Sequence, residues 1–180
     1  MGKKVLVLSA SPRRQGNSDS LADEFIRGAK ESNNDVEKIF LRDRRIEYCN
    51  GCNACLKTHK CVIKDDMEEI LEKMSEADTI VMATPVYFYS ISAQMKTLID
   101  RTYPIFKNLK GKEFYFILSA EDTSKERMSR AIETFRGFSE YCLADSHEMG
   151  VVYGAGVLKA GDIRDHAAMK EAYDMGFGVK

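Results

Sequence analysis

The sequence predicts an α/β fold, a three-layer sandwich in which helices cover both faces of a five-stranded parallel sheet. Short apolar runs alternate with helical patterns along the whole chain, as expected of strand–helix–strand units. Right-handed crossovers restrict the topology, and five such strands fit the doubly wound order 2-1-3-4-5. We expect residues 1–180 to form one domain, because 180 residues are enough for a full-sized core.

The spacing of apolar residues predicts each element in turn. Short runs rich in β-branched residues predict strands, and apolar residues three or four positions apart, such as Leu21 and Phe25, predict helices. The predicted strands are Lys4–Ser9, Val36–Leu41, Thr79–Thr84, Lys112–Ser119 and Ser146–Tyr153, and the predicted helices are Ser18–Glu31, Asp65–Ser75, Ser92–Tyr103, Ser124–Tyr141 and Arg164–Phe177. Residues 42–64 fit neither pattern, and we interpret them as a Cys-rich insert after the second strand.

Composition and charge exclude several classes of partner. The net charge of −1 gives no overall attraction to nucleic acid, and no apolar run is long enough to span a bilayer. The N-terminus passes directly into the first strand, so we expect no signal peptide. These features predict a cytoplasmic protein that binds neither nucleic acid nor membrane.

The loop between the first strand and the first helix is the first candidate binding site. It carries Ser9, Ser11, Arg13, Asn17 and Ser18. Unpaired N–H groups and the helix dipole favour anions at a helix N-terminus, so a phosphate monoester is the simplest ligand for this loop. The alternative is that an amide or hydroxyl here only caps the helix. The loop matches neither common nucleotide-binding fingerprint, which argues against a dinucleotide fold and a P-loop.

A second candidate loop follows the third strand, which the predicted topology places beside the first. It contains Pro85, Val86, Tyr87 and Phe88, which suit a flat ring system. Taken alone, these residues would more simply cover the sheet edge or a dimer interface, but the neighbouring phosphate loop favours the ring. Ser119 lies at the same edge, after the fourth strand, either as a further contact or as part of a helix cap. A phosphate site beside a site for a planar ring describes FMN.

The Cys-rich insert contains four closely spaced thiols. Cys49, Cys52, Cys55 and Cys61 form the pattern C-x2-C-x2-C-x5-C, which can wrap one [4Fe–4S] cluster from a single segment. Basic residues on both sides would offset the cluster's negative charge. A tetrahedral zinc site, a redox thiol pair and a structural cap without metal remain alternatives. Cys142 lies inside a helical pattern, and we expect it in the core.

Several motifs together resemble one family. The stretches 8–13 and 16–18 resemble the GSPR…GNT/S loop of the NADPH-dependent FMN reductase-like branch of the flavodoxin superfamily. Residues 84–88 resemble its TPVY loop, and the end of the following helix, at Asp100 and Arg101, resembles its K…iDR motif. The four-cysteine pattern resembles that of the iron–sulfur flavoproteins. The resemblance covers the whole chain in order.

The resemblance implies a flavodoxin-like fold, non-covalently bound FMN, an electron-transfer activity and a homodimer or homotetramer. Ser11, Arg13, Asn17 and Ser18 would bind the phosphate, and residues 85–88 would face the isoalloxazine ring. The prediction is an oxidoreductase that takes electrons from NAD(P)H. Since the flavin supplies the redox chemistry, no side chain is assigned a catalytic role.

Two other functions remain open. One is a flavodoxin-type electron carrier without a nicotinamide site, although the strong acidity expected of such a carrier is missing here. The other is a thiol- or metal-sensing protein on the same fold, with the Cys-rich insert as the sensor.

Overall fold

The computed structural model describes residues 2–180, which fold around one mainly parallel sheet. Its strands are β1 (Lys4–Ser9), β2 (Asp35–Phe40), β3 (Thr79–Tyr87), β4 (Ser90–Ile91), β5 (Glu113–Ala120) and β6 (His147–Ala155). The parallel strands follow the order β2-β1-β3-β5-β6, while β4 pairs antiparallel with the end of β3. The predicted fold class and strand order are therefore confirmed. The prediction of five strands was wrong by one, because the short β4 was missed.

Helices cover both faces of the sheet. They are α1 (Asn17–Glu31), α2 (Cys55–Thr58), α3 (Met67–Glu76), α4 (Ala93–Arg101), α5 (Ser129–Arg136) and α6 (Ala167–Phe177). The core has two layers, since successive strand residues point to opposite faces: Leu6 and Leu8 pack into one layer, Val5 and Val7 into the other. The first layer contains apolar residues of α3, α4 and α5, and the second those of α1 and α6.

Two glycines bring α1 and α6 close together. A Cβ on Gly28 would lie 2.1 Å from the carbonyl oxygen of Tyr173, and one on Gly176 would lie 2.0 Å from that of Phe25. Only glycine fits at either position, so the backbones of the two helices touch. This packing fixes the position of α1, whose N-terminus forms part of the candidate site.

Some elements differ from the predictions for local reasons. The predicted helix Ser124–Tyr141 is shorter, because turns precede α5 and a π-helical segment, Gly137–Cys142, follows it. The N–H of Ser124 donates to the carboxylate of Asp122 at 2.8 Å, which holds the chain in a turn there. Cys142 is exposed, so its predicted place in the core was wrong. Among residues 2–180, no helix is long and apolar enough to cross a membrane.

Candidate functional site

The carboxyl ends of β1, β3 and β5 meet at one edge of the sheet and border a cleft of about 320 Å³, here called the carboxyl-edge cleft. This volume lies within the usual range for small-molecule sites. The cleft is lined by parts of four segments, namely residues 11–18, 85–88, 119–121 and 157–160. Nine of the ten predicted cofactor-binding residues line it, the exception being Ser9. The two loops predicted to lie side by side therefore share one cleft.

The N-terminus of α1 opens into this cleft with its polar groups unpaired. Gly16 precedes the helix, and within residues 2–180 no side chain caps its first N–H groups. In the same part of the chain, Asn17 Oδ1 and Ser18 Oγ are buried without a hydrogen-bond partner. Buried polar atoms normally have partners, and the Ser18 hydroxyl can donate to an anion, whereas Asn17 Oδ1 can only accept. The arrangement suits a phosphate group and does not match the alternative of a simple helix cap.

The first loop reaches this conformation through a tight turn. The hydroxyl of Ser11 donates to the carbonyl oxygen of Arg13 at 2.7 Å, and the N–H of Gly16 donates to the same oxygen at 3.1 Å. A Cβ on Gly16 would lie only 2.6 Å from Ser11 Oγ, so glycine is required by the close approach. Arg13 extends from this turn as an exposed cation beside the unpaired N–H groups.

Ser9 supports the loop from beneath and does not line the cleft. Its buried hydroxyl donates to Asp19 Oδ1 at 2.7 Å, and the N–H of Gln15 donates to Asp19 Oδ2 at 3.0 Å. Lys38 Nζ lies 2.7 Å from the same carboxylate and neutralises it. Gln15 has a φ of 54°, a left-handed conformation that this hydrogen bond holds. Sequence reasoning missed Asp19, whose only signal was an acidic residue in the first helical turn.

The opposite wall of the cleft is a strained aromatic hairpin, residues 85–91. β3 and β4 are joined by two residues, Phe88 and Tyr89, with φ values of 48° and 60°. Two positive values identify a type I′ turn, which is normally built from Asn and Gly. Large side chains in this conformation are uncommon and cost energy, and such strain concentrates at functional sites. Phe88 is fully exposed, so no packing within the chain accounts for it.

Buried hydrogen bonds join the two walls at their base. The N–H of Ser92 donates to Thr84 Oγ1 at 3.0 Å, and the Ser92 hydroxyl reaches the carbonyl oxygen of Ala10 at 3.4 Å. The N–H of Ala10 donates to the carbonyl oxygen of Ala83 at 2.8 Å. These bonds connect the first loop, the end of β3 and the start of α4, so the separation of the two walls is fixed.

A third contact closes the far side of the cleft. The N–H of Val157 donates to the carbonyl oxygen of Ala120 at 2.8 Å, and the Tyr89 hydroxyl donates to Asp122 Oδ2 at 3.3 Å. The segment after β5 therefore holds both the loop after β6 and the aromatic hairpin. Ser119 lines the cleft at the start of this segment, as predicted for a residue at the carboxyl edge.

The four thiols of the Cys-rich insert are free and lie near one another. Cys49 and Cys52 are exposed, whereas Cys55 and Cys61 are partly buried. Burial raises the pKa of Cys55, and the charges of the other three thiols raise it further. No three Cys, His, Asp or Glu side chains of residues 2–180 converge as a metal site. Four neighbouring thiols are a suitable donor set for iron–sulfur ligation, but they must move closer together to share a cluster.

A buried ion pair closes the Cys-rich insert at its base. The Arg101 guanidinium binds Asp65 in a bidentate manner, at 2.7 and 2.9 Å, and both side chains are inaccessible to solvent. Burial raises the pKa of Asp65, but hydrogen bonds from Arg101 and from the N–H groups of Glu47 and Met67 outweigh burial and leave it below its usual value. Burial lowers the pKa of Arg101, but Asp65 outweighs this effect and raises it, with a smaller contribution from Cys61.

Comparison with known proteins identifies the family. The model for NADPH-dependent FMN reductases matches residues 3–138. The chain belongs to this family. An iron–sulfur flavoprotein of Methanocaldococcus jannaschii is 31% identical over 159 residues, which cover 84% of this chain and 80% of that protein. The predicted resemblance is confirmed.

Other relatives extend this result. An iron–sulfur flavoprotein of Archaeoglobus fulgidus is 39% identical over 111 residues, which cover 61% of this chain but 50% of that protein. The chain spans about half the length of the first curated relatives that it matches. The NAD(P)H:quinone oxidoreductase of Methanothermobacter marburgensis has the same fold, with a TM-score of 0.76 at 17% identity, covering 98% of this chain and 96% of that one.

Membership of the FMN reductase family supports the predicted class, an FMN-dependent oxidoreductase, as a proposal for this chain. The carboxyl-edge cleft fits FMN by its own geometry, since an uncapped helix N-terminus with orphaned polar atoms faces an exposed aromatic hairpin. The contribution of each lining residue to flavin binding stays a prediction.

Proposed function

We propose that this member of the FMN reductase family oxidises NAD(P)H and passes the electrons to a small acceptor such as a quinone, a nitro compound or free flavin. The observation that carries the proposal is the unpartnered buried hydroxyl of Ser18, which lies at the uncapped start of α1. A dianionic phosphate can accept hydrogen bonds from this hydroxyl and from the neighbouring N–H donors at once.

Two groups of cleft residues would bind different parts of FMN. Ser11, Arg13, Asn17 and Ser18 hold the phosphate, while residues 85–88 and Ser119 border the ring. Tyr87 is half-exposed and Phe88 fully exposed, so the aromatic hairpin leaves room for a second planar molecule, such as nicotinamide. When bound, FMN supplies the hydride chemistry, and the protein contributes orientation and a fixed site.

We also propose that Cys49, Cys52, Cys55 and Cys61 hold an iron–sulfur cluster. Their spacing, the mutual proximity of the thiols and the names of the relatives support this assignment. Exposed basic residues on the Cys-rich insert would offset the negative charge of the thiolates. Anaerobic reconstitution followed by iron, sulfide and zinc analysis separates a cluster from a zinc site.

We further propose a homodimer or homotetramer in a reducing, cytoplasmic compartment, with residues 1–180 as one FMN-binding domain. Exposed aromatic side chains of the hairpin beside the cleft, namely Tyr87, Phe88 and Tyr89, support association with a second copy. Free thiols support the compartment. Sedimentation analysis of the FMN-loaded protein measures the oligomeric state.

The function is tested by flavin titration and nicotinamide oxidation. We expect the purified protein to bind FMN with a visible flavin spectrum and to oxidise NADH or NADPH when an acceptor is present. Ser18→Ala should weaken FMN binding, whereas Ser20→Ala, a matched change on the same helix, should not. A protein that binds neither FMN nor riboflavin would refute the proposal. FMN binding without NAD(P)H oxidation would instead indicate an electron carrier.

A second candidate function is thiol sensing, which the free thiols favour because two of them, Cys49 and Cys52, are exposed. In that case Cys49→Ser and Cys52→Ser should abolish the response to oxidant or metal and leave flavin binding intact. Retention of the response in both variants would exclude this function for the Cys-rich insert.

A further inference from the structure

The carboxyl-edge cleft carries opposite charges at its two ends. Among the residues that the structure describes, its lining contains one cation, Arg13, and one carboxylate, Glu121. Arg13 follows β1 and Glu121 follows β5, and β3 lies between these two strands. Adjacent strands lie about 5 Å apart, so about 10 Å separates β1 from β5. The N-terminus of α1 adds its partial positive charge at the Arg13 end, which leaves Glu121 at the anionic end.

The backbone on both sides of Glu121 is fixed. The carbonyl oxygen of Ala120 accepts a hydrogen bond from the N–H of Val157 at 2.8 Å, and that of Asp122 accepts one from the N–H of Gly156 at 3.0 Å. These two bonds attach the segment after β5 to the loop after β6, one residue before and one residue after Glu121. The position of Glu121 at the wall of the cleft is therefore set by the fold.

The next carboxylate along the chain, that of Asp122, is occupied by protein groups. Its Oδ2 lies 3.1 Å from Arg127 Nε and accepts from the Tyr89 hydroxyl at 3.3 Å, while Oδ1 accepts from the N–H of Ser124 at 2.8 Å. Glu121 is exposed, and in the described part of the chain no ion pair involves it. Arg127 thus neutralises Asp122, and the charge of Glu121 acts on whatever occupies the cleft.

A flavin held by its phosphate at the cationic end has its ring toward Glu121. Ser119, which we propose borders the ring, lies two positions before Glu121, and both residues line the cleft. Hydride transfer from NAD(P)H adds two electrons and one proton to the neutral oxidised ring, so the reduced ring carries one negative charge. Like charges repel, and a cleft shielded from bulk water weakens this repulsion less than open solvent does. The carboxylate therefore disfavours the reduced form more than the oxidised one.

We propose that Glu121 lowers the reduction potential of FMN bound in the carboxyl-edge cleft. A nearby charge is one of the means by which a protein tunes a flavin. The donors at the α1 N-terminus bind the phosphate of both redox forms alike, so Glu121 is the lining residue that separates their affinities. The lower potential makes the reduced protein a stronger electron donor to its acceptor. This inference rests on the proposed function, because it requires bound FMN.

The test compares Glu121→Gln with Glu126→Gln in FMN-loaded protein. Each substitution removes one exposed negative charge between β5 and α5, but Glu126 does not line the cleft. We expect Glu121→Gln to tighten the binding of reduced FMN about tenfold relative to oxidised FMN. Titration against a dye of known potential should then show a rise of about 30 mV, the equivalent of tenfold for a two-electron couple.

Two further measurements identify the charge as the cause. Glu126→Gln should give a much smaller shift, which disappears at high ionic strength because salt screens exposed charges. Glu121→Asp keeps the charge and should keep the potential close to that of the unsubstituted protein.

The outcomes separate this inference from the proposed function. An unchanged potential in Glu121→Gln, equal shifts in Glu121→Gln and Glu126→Gln, or an equal loss of affinity for both redox forms would overturn the role of Glu121. If such a protein still binds FMN and oxidises NAD(P)H, the proposed function stands without it. An unsubstituted protein that binds no FMN would refute both.

Discussion

The hydroxyl of Ser9 donates to the carboxylate of Asp19 at 2.7 Å, which places a buried acid directly beneath a loop that is suited to an anion. The carboxylate also binds the N–H of Gln15 and Lys38 Nζ, so its charge is neutralised on one side while it shapes the loop on the other. Asp19 thus stabilises the conformation that exposes the N–H groups of α1 to a phosphate.

Asp19→Asn should therefore weaken phosphate binding although it removes a negative charge nearby. The substitution removes the ion pair with Lys38 and weakens the hydrogen bond from the N–H of Gln15. Leaving a buried polar group without its partner costs about 1–3 kcal/mol. We expect at least a tenfold rise in the dissociation constant for FMN and a much smaller change for riboflavin, measured by quenching of flavin fluorescence.

Asp23→Asn is the matched control, because Asp23 binds the same Lys38 at 2.6 Å from an exposed position. Its effect on the free energy of FMN binding should stay within about 0.5 kcal/mol, which is the usual limit for the effect of a surface substitution on stability. Unchanged or tighter FMN binding in Asp19→Asn would contradict the shaping role of the carboxylate.

The aromatic hairpin should be more stable without its phenylalanine. Phe88 has a φ of 48° and is fully exposed, so its replacement removes strain and no internal packing. Asn tolerates the left-handed conformation, and Phe88→Asn should raise the free energy of unfolding by about 1 kcal/mol, as judged from the strain typical of such residues. The same change should raise the KM for NAD(P)H, because a planar surface is lost.

Phe177→Asn provides the comparison, since Phe177 is half-exposed but stacks on Tyr173 at 6.1 Å between ring centroids. It should lower the free energy of unfolding and leave KM unchanged. If Phe88→Asn also lowers the free energy of unfolding, contacts of Phe88 must stabilise the hairpin by more than its strained backbone costs.

Local patterns predicted the sheet order and the loops at its edge, because a loop between a strand and a helix is recognisable from a few neighbouring residues. The role of Ser9 was not predictable, because its partner Asp19 is set by the packing of α1 on β1. The strand β4 was missed because Phe88 and Tyr89 do not give the usual Asn-Gly signal of a two-residue hairpin. The pair Arg101–Asp65 joins residues 36 positions apart, which composition alone does not connect.

The pair Asp65–Arg101 predicts a specific loss of stability in acid. The pKa of folded Asp65 lies below the unfolded value of about 3.9, so its stabilising contribution is complete above that pH and is lost as pH falls through the folded pKa. Asp65→Asn should lower the free energy of unfolding at pH 7 by about 3–5 kcal/mol, because a buried cation loses its partner.

Urea unfolding at pH 7 and pH 3 measures this effect. Other carboxylates also titrate in acid, so the informative quantity is the difference between the two proteins, which should shrink at pH 3. A difference that is equal at both pH values would show that ionised Asp65 contributes no pH-dependent stability.

Gly16 should tolerate no side chain, because its Cβ would meet Ser11 Oγ at 2.6 Å and the carbonyl oxygen of Arg13 at 3.0 Å. Gly16→Ala must therefore displace the turn that precedes α1, and with it the N–H groups that face the carboxyl-edge cleft. We expect FMN binding to weaken at least tenfold, with little change in binding of riboflavin, which lacks the phosphate.

Gly137→Ala is the matched substitution, since beyond its chain neighbours and its own helix backbone nothing lies within 4 Å of its Cβ position, and its φ of −54° is helical. Alanine there should stabilise the protein by up to about 1 kcal/mol through its higher helix propensity, with FMN affinity unchanged. Equal FMN affinities in the two variants would mean that the turn at Gly16 can yield without moving the α1 N-terminus, and the phosphate would then have to be held elsewhere in the cleft.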